Sequence, residues 1–352
     1  MGRREGSEPS RVRPLIVRPG ARYRCFGDGL CCTDLHLLGP LTQREVVRLR
    51  VMSDEIVVWN AQLEAPVLRT TDRGGCVFLV DSGCALHAEL GARSKPGGCR
   101  RFPYRLVATP AGGRVVTEHR CPCRTLGDRP PLDLGDAEQS LRDEGGRLQA
   151  DSRVPQRLKR TRKLRMSFHS YVALENEWIT RILAGEDPLV VLDAEVLSPL
   201  PDISWIDVAH NLRARIDGSA CGDALAWFGD VLLSLADPTF KPRNARNRPW
   251  APAFDRAEAR SPDAQSPDAV LADWLVDALW SLDWVLVGSL DAARCELGTR
   301  WVIAREITAR LRALGVRPDR AAAEAVSIVE IAGASGVWGS VVREIDRGRP
   351  SG

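Results

Sequence analysis

The chain has 352 residues and a formal net charge of +3, from 49 lysines and arginines against 46 aspartates and glutamates. So small a charge argues against wholesale nucleic-acid binding, and the length suits two structural units better than one. Hydrophobic residues make up 44% of the chain and charged residues 27%. This composition is typical of a globular protein, so most of the chain is expected to fold around an ordinary core.

The N-terminal stretch MGRREGSEPSRVRPLIVRPG is polar, rich in arginine and without the apolar segment of a secretory signal. We expect residues 1–20 to form a disordered basic arm. The most apolar stretch, WLVDALWSLDWVLVGSLDAA, is interrupted by Asp277, Asp283 and Asp291, which favours a buried helix over a membrane span. The sequence therefore predicts a cytoplasmic protein with no membrane contact.

Cysteine and tryptophan are distributed in opposite ways. Eight of the ten cysteines lie within the first 123 residues, whereas nine of the ten tryptophans follow residue 123, which predicts two structural units. Since cytoplasmic thiols are kept reduced, metal binding or redox chemistry explains the cysteines better than a disulfide framework does. The clustered cysteines are Cys25, Cys31, Cys32, Cys76, Cys84, Cys99, Cys121 and Cys123.

Short helices and hairpins are predicted among these cysteines. In LTQREVVRLR, Thr42 and Glu45 fit a capping box that is followed by apolar residues at helical spacing. The stretch PVLRTTDRGGCVFLV predicts a β-hairpin, because β-branched and apolar runs flank turn-forming residues at positions 72–75.

A second hairpin is predicted in YRLVATPAGGRVVTEHRCPC, with its turn at residues 110–113. Its returning strand leads to Cys121 and Cys123. Strand pairing would carry both residues back to the level of Cys99, so ligands far apart in sequence could meet at one site.

Residues 128–152, DRPPLDLGDAEQSLRDEGGRLQADS, predict a linker with one weak helical turn, and residues 153–348 predict a helical domain. In SPDAVLADWLVDALWSLDWVLVGSL, Ser266 is a candidate N-cap and Pro267 suits the first helical position. Apolar residues there recur at intervals of three and four. The predicted fold class is α+β: a small metal-organised N-terminal domain with short β-hairpins at residues 21–127, followed by an all-α helical domain.

Thiolates are soft ligands that suit zinc, iron and iron–sulfur clusters. The spacings C-x5-C-C, C-x7-C and C-x-C differ from the paired C-x2-C of a zinc ribbon. They indicate a metal site with more than one ion, but they do not identify the metal. Two other interpretations stay open: buried cysteines that act as small hydrophobic residues, and cysteines that carry thiol-redox chemistry.

Five short motifs occur in order along the first third of the chain: CFGDGLCC, CVFL, CALH, CRRFPY and CPC. They resemble the bacterial cysteine-cluster proteins described as zinc- or iron-chelating domains. In that family, C-x2-C-x2-C-C is followed by C-x-F-L, C-x-[IL]-[HY], C-R-x-F-P and C-P. The resemblance implies that seven residues hold the chelating positions: Cys25, Cys31, Cys32, Cys76, Cys84, Cys99 and Cys121.

The chain departs from the family pattern at two positions. Asp28 stands where the family has its second cysteine, and Cys123 stands where the family usually has glycine. A carboxylate is a harder ligand than a thiolate, so we expect Asp28 to be a weak or outer-shell ligand and Cys123 to take over the vacated position. His87, three residues after Cys84, is a further candidate ligand, whereas His36 is expected to be a surface or outer-shell residue.

Three functions are compatible with these features. The first is a protein that binds zinc or iron, the iron including a 4Fe–4S cluster, and whose helical region binds a protein partner or a substrate. The second comes from a looser similarity to flagellin lysine-N-methylases, which also join a cysteine-cluster region to a long helical region. That similarity implies an iron–sulfur cluster and a protein lysine as substrate. The third is a thiol-redox sensor.

Two basic runs, residues 153–165 and 241–248, could contact an anionic partner such as RNA. Neither run contains the interleaved aromatic residues that single-strand binders use for stacking. We therefore expect a solvated helix face and a solvated loop, and no nucleic-acid partner.

Overall fold

Strands and helices both occur in the computed structural model, which describes residues 11–27, 29–36, 38–60, 64–81, 83–242, 246–259, 261 and 263–348. The predicted α+β class is thereby confirmed. The strands of the described residues are β1 (Leu15–Val17), β2 (Val57–Asn60), β3 (Ala65–Leu68), β4 (Leu79–Val80), β5 (Gly83–Cys84), β6 (Tyr104–Thr109), β7 (Gly112–Thr117), β8 (Ser152–Arg153), β9 (Arg157–Lys159) and β10 (Arg165–Ser167).

The helices are short in the first third of the chain and long in the last half. They are α1 (Gln43–Met52), α2 (Ala85–Leu90), α3 (Gly97–Arg101), α4 (Pro122–Thr125), α5 (Leu134–Leu141), α6 (Phe168–Leu183), α7 (Pro188–Val191), α8 (Trp205–Arg213), α9 (Ala220–Ala236), α10 (Ala251–Ala259), α11 (Pro267–Trp280), α12 (Leu290–Ala313), α13 (Pro318–Gly333) and α14 (Gly336–Gly348).

The capping box predicted at the start of α1 is confirmed. The Glu45 N–H donates to the Thr42 hydroxyl at 3.3 Å, and the Thr42 N–H donates to the Glu45 carboxylate at 2.7 Å. Glu45 also accepts the N–H of Gly97 at 2.5 Å. One carboxylate therefore begins α1 and ties it to α3, the helix that carries Cys99.

A four-stranded sheet with the order β1-β7-β6-β8 lies in the N-terminal region. β6 and β7 are antiparallel, with Tyr104 opposite Thr117, which confirms the second predicted hairpin. β1 runs parallel to β7, and β8 runs parallel to β6. Cys121, at the start of α4, follows the end of β7 by four residues.

Two predictions about segments outside the domains need correction. Residues 15–17 of the predicted disordered arm form β1, because the apolar, β-branched run Leu-Ile-Val pairs with the exposed edge of β7. Residues 1–10 of that arm lie outside the described residues. Within the predicted linker, α5 and β8 pack on β6, since Ala137 and Leu141 are buried in one cluster with Leu106.

The first predicted hairpin forms as a short antiparallel pairing, in which the Val77 N–H donates to the Arg69 carbonyl at 3.1 Å. β3 pairs along its whole length with β2, which precedes it, because the β-branched residues of β2 make an extended partner. The turn closes through the Thr71 N–H, which donates to the Gly75 carbonyl at 2.7 Å. A single bridge joins Thr70 to Cys76, so the turn serves to position this cysteine.

The helix α11 begins at Pro267 as predicted. Ser266 precedes it but makes no side-chain capping bond, and the helix ends at Trp280. Leu282 has a left-handed backbone with φ of 57°, which separates α11 from the short 3₁₀ turn before α12.

The prediction of an all-helical second domain is wrong for the basic run that precedes α6. β9 and β10 form an antiparallel hairpin there. Leu158 is buried between the exposed residues Arg157 and Lys159, which is the alternation of a strand rather than of a helix. The basic residues therefore lie on a hairpin and not on a helix face.

One large hydrophobic core extends through both regions. Leu35, Val107 and Leu126 of the N-terminal region belong to the same buried cluster as Phe228 and Trp274 of the helical region. Smaller clusters lie beneath the cysteine-bearing turns and on the sheet. The N-terminal region is thus packed against the helices that follow it.

In the described part of the chain, no helix taken alone has the length and apolar character that crossing a membrane requires. The pair α13 and α14, bent by 74° at its break, meets the same length and composition criteria when taken together. Most of α13 is buried inside the protein.

Candidate metal-binding site

The fold gathers the clustered cysteines from five short segments. The loop at residues 25–32 supplies three of them. The other five lie at the turn before β4, the start of α2, α3, and the start of α4: Cys76, Cys84, Cys99, Cys121 and Cys123. In space they form two neighbouring groups.

The first cysteine group is made of Cys25, Cys121 and Cys123. The Phe26 N–H donates to the Cys123 Sγ at 3.1 Å, and the Gly27 N–H lies 3.4 Å from the Cys25 Sγ. Cys123 therefore lies directly against the loop at residues 25–32, where the compensation hypothesis requires it. Backbone N–H donors favour the thiolate form of a cysteine, which is the form that binds metal.

Aromatic rings and one arginine surround the first cysteine group. The rings of Tyr23 and Tyr104 meet edge to face at 5.2 Å. Burial raises the pKa of both phenols, and the charges of the nearby thiols add to the shift. The Arg129 guanidinium lies 3.8 Å from the centroid of the Phe26 ring, and its Nε donates to the Cys123 carbonyl at 2.9 Å. A buried positive charge thus stands beside the thiols.

The second cysteine group is made of Cys32, Cys76, Cys84 and Cys99. The Cys76 N–H donates to the Cys32 carbonyl at 2.7 Å, which ties the turn before β4 to the loop. Burial raises the pKa of the Cys76 thiol to about 11 and that of Cys99 to about 12, and the other thiols of the group raise both further. Cys31 adjoins this group, with its Sγ 3.9 Å from that of Cys32.

The donor set matches a soft or borderline metal, since eight thiols from separate segments converge on one part of the molecule. Among the described residues, no three His, Cys, Asp or Glu side chains converge closely enough to hold an ion as they stand. The fold therefore brings the thiols into one region without placing three of the described side chains around a single point. With thiol pKa values of about 11 and 12, metal binding at Cys76 and Cys99 has to displace protons.

His36 is buried, so of the two predicted alternatives the surface position is wrong and the outer-shell position stays open. Its side chain packs edge-on against the Phe102 ring at 5.0 Å, because Leu35 and Leu38 on either side of it draw this part of the loop into the core. Burial holds the pKa of His36 well below its usual range, the charge of Arg120 lowers it further, and the nearby Arg120 carbonyl opposes the shift. The imidazole is therefore neutral at pH 7, the form that binds metal.

The two other candidate ligands have different positions. His87 lies on the exposed side of α2. Asp28 lies outside the described residues, so its place relative to Cys123 stays a prediction. Of the remaining cysteines, Cys295 is buried within α12, and burial raises the pKa of the Cys221 thiol in α9 to about 11.

A buried ionic cluster anchors the segment that carries Cys121 and Cys123 to α11. Arg124 and Arg18 both donate to Asp273 and Asp277. His119 Nε2 lies 2.8 Å from the Asp277 carboxylate. Burial alone would raise the pKa of Asp277, but Arg124 and Arg18 outweigh it and hold that pKa well below its usual range.

Neither this ionic cluster nor the burial of His36 was predicted from the sequence. The available signal for the cluster was a pair of aspartates four positions apart within an otherwise apolar helix. Comparison of the chain with protein-family models, curated proteins and solved structures gives no match. The fold and the site together define an α+β protein that gathers eight thiols from five segments beside a buried, neutral histidine.

Proposed function

We propose that this is a cytoplasmic metal-binding protein that holds zinc or iron, the iron as ions or as a 4Fe–4S cluster, through its clustered cysteines. The observation that carries the proposal is the convergence of five separate segments into two adjoining thiol groups. Small hydrophobic residues needed only for packing would not collect eight of the ten cysteines of the chain in this way. The resemblance of the five motifs to zinc- or iron-chelating proteins supports the same function.

The second cysteine group favours metal binding over redox sensing. Redox-active cysteines have a lowered pKa and an accessible thiolate. Burial instead raises the pKa of Cys76 and Cys99, so these thiols stay protonated and unreactive until a metal ion displaces the proton.

Elemental analysis of the full chain after anaerobic purification tests the proposal. We expect zinc or iron in stoichiometric amount, with a brown protein that absorbs in the visible if an iron–sulfur cluster is present. Replacing Cys32 and Cys76 together by serine should lower the metal content, whereas Cys221→Ala should not. A wild-type chain that holds no metal, either as purified or after anaerobic reconstitution with zinc or with iron and sulfide, would overturn the proposal.

A cavity between the sheet and the helices supports a second candidate, an iron–sulfur-dependent enzyme that acts on a protein lysine. Its volume is about 320 Å³, and five carboxylates and three arginines line it together with Trp274 and Trp284. The Trp274 Nε1–H donates to Glu330 at 2.8 Å, which orients this carboxylate in the wall. Arginines pair with the other four carboxylates, whereas the contact of Glu330 with Arg300 is long at 3.5 Å. Glu330, beside the indole ring of Trp274, is therefore the lining carboxylate best placed to attract a cationic ligand such as the lysine ammonium group.

Peptide binding distinguishes a lysine-directed enzyme from a protein that only binds metal. A lysine-containing peptide should quench the tryptophan fluorescence of the full chain more strongly than the same peptide with norleucine at that position. Glu330→Gln should weaken binding of the lysine peptide but not of the norleucine peptide. Glu306→Gln, on the surface of α12, should weaken the binding of neither. Equal binding of the two peptides would count against a lysine-directed enzyme and would leave metal binding unaffected.

A further inference from the structure

The imidazole of His36 is fixed in place, yet its polar atoms are unused. The residue is 6% exposed, and neither ring nitrogen has a hydrogen-bond partner among the described residues. Its backbone N–H donates to the Thr33 carbonyl at 3.0 Å, and Phe102 holds the ring from one side. Buried polar atoms normally have partners, and leaving them unpaired is destabilising. Because the Arg120 carbonyl lies near the ring, it can serve one nitrogen, and the other nitrogen of this immobilised ring is left for a ligand.

The space beside His36 is a cavity of about 180 Å³ that Cys31 and Cys99 also line. Two charged side chains border it as well, but Glu118 and Arg120 pair with each other, with the Arg120 Nε donating at 2.8 Å. The groups that face His36 across the cavity are therefore thiols. A cavity lined by one neutral imidazole and two thiols has the donor chemistry of a mixed nitrogen and sulfur metal site.

We infer that His36 is a nitrogen ligand of the metal centre, acting with Cys31 and Cys99, so that this part of the centre is a mixed-ligand site for a zinc-like divalent ion. The inference rests on the proposed metal-binding function and adds to it a ligand and a metal class. Metal-bound histidines commonly donate their second ring N–H to a backbone carbonyl. The Arg120 carbonyl lies beside the His36 ring and can take that role.

The other histidines near the cysteines are placed differently from His36. His87 is exposed on α2, and His119 already uses its Nε2 on Asp277. On the other side of His36, a second cavity of about 280 Å³ is lined by Asp34 and Cys221. Cys221 is therefore the alternative thiol partner, and the experiment has to separate it from Cys31.

Cobalt titration of the full chain tests the inference, because Co²⁺ occupies zinc sites and its visible bands report the ligand set. The chain is demetallated and reduced without oxygen, then titrated with Co²⁺ and, in competition, with Zn²⁺. His36→Ala should lower the affinity for both ions at least about tenfold and shift the Co²⁺ ligand-field bands. The control is His169→Ala, which removes an exposed histidine of α6 outside the cysteine-bearing segments and should change neither. Added imidazole should restore the wild-type bands in His36→Ala, because it fits the vacated space.

The outcomes separate the two proposals. A wild-type chain that binds neither ion refutes metal binding itself. If wild type binds and His36→Ala and His36→Gln both keep the wild-type affinity and spectrum, His36 is a packing residue and only this inference fails. Circular dichroism checks the fold of each variant, and His36→Gln carries the test if the alanine variant is unfolded. If Cys221→Ala reproduces the loss and Cys31→Ser does not, the ligand set of His36, Cys31 and Cys99 is wrong.

Discussion

The cysteine-rich region and the helical region are stabilised in different ways. The first is built from strands of two to six residues and helices of ten residues or fewer, and partly buried thiols pack against its small apolar cluster. The second is built from long helices, such as the 24 residues of α12, around fully buried residues that include Trp274 and Trp338. Apolar burial stabilises the helices, whereas on the proposed function we expect the cysteine-bearing turns to depend also on metal bonds to their side chains.

The boundary between the two regions is formed in part by charges. Arg114 donates to Glu175 through both terminal nitrogens, at 2.8 and 2.7 Å, and all but 4% of its side chain is buried. Arg105 pairs with Asp283, and the ionic cluster around Asp277 lies further along the same boundary. Apolar contacts tolerate many partners, but a buried charge requires a matching one. The comparison therefore predicts that the boundary is the most sensitive place in the molecule.

The largest effect is expected from Asp277→Ala, which leaves the buried guanidinium groups of Arg18 and Arg124 without one of their partners. Breaking a buried ion pair from one side lowers the free energy of unfolding by about 3–5 kcal/mol. Urea denaturation followed by circular dichroism measures the change. The control is Asp202→Ala, which removes an exposed pair with Arg347 and should alter stability by less than about 1 kcal/mol. Similar values for both variants would show that the boundary does not depend on its charges.

Removing a metal bound as proposed should destabilise the cysteine-rich region and leave the helical region unchanged. A ligand present at a hundredfold excess over its Kd stabilises the folded state by about 2.7 kcal/mol, and a chelator removes that contribution. Hydrogen exchange of the reduced full chain should then accelerate in α3 and at the turn before β4, while α9 and α12 stay protected. Equal acceleration in α12 would show that the helical region also depends on metal.

Acid should weaken the boundary before it affects the helices. The pKa of Asp277 is held below its unfolded value of about 3.9, so its contribution to stability is complete above about pH 5 and is lost progressively as the pH falls through 4 and below. Only part of that contribution disappears at pH 3, so the loss should be smaller than in Asp277→Ala. The variant Asp277→Asn, less stable at pH 7, should show a flatter dependence of unfolding free energy on pH between 4 and 2. If the unfolding free energies of wild type and variant fall in parallel with pH, Asp277 is not the source of the acid sensitivity.

Within the cysteine-rich region, Cys123→Ser should lower metal affinity about tenfold, which corresponds to about 1.4 kcal/mol. Asp28→Ala should have a smaller effect, because a lone carboxylate binds soft metals more weakly than a thiolate does. Placing Asp28→Cys in the Cys123→Ser background should restore binding if both positions serve one centre. Zinc competition with a chromophoric chelator measures all three. If the double variant folds but does not regain metal affinity, the hypothesis that Cys123 replaces the missing cysteine at position 28 is wrong.

The smallest effect is expected from replacing Cys221 and Cys295 by alanine. Cys295 is buried within α12, whereas Cys221 on α9 lines the cavity on the far side of His36. Neither belongs to the two cysteine groups, so bound metal should be unchanged. The buried position of Cys295 makes a loss of stability of about 1 kcal/mol expected from the small cavity. Loss of a whole ion would place a metal ligand in the helical region.

Local features of the fold could be predicted from the sequence because their causes lie within a few residues. The capping box of α1 and the β6–β7 hairpin are of this kind. By contrast, the pairing of β1 with β7 joins Leu15 to Gly113, and no pattern within either segment indicates it. Likewise, the thiols were found from their motifs, but the burial of His36 depends on Phe102, which is distant in sequence. Non-local packing decides these features, and composition cannot reveal it.

Arg18 also has a consequence for the order of events in the cell. Its partner Asp277 follows 259 positions later, so the support for β1 and for the start of α4 is missing until α11 has been synthesised. At about 5–20 residues per second, the nascent cysteine loops spend roughly 10–50 s in this incomplete state. During that interval the cysteine loops lack the anchor that Arg18 and Asp277 provide, so they reach their final arrangement only after α11 has been synthesised.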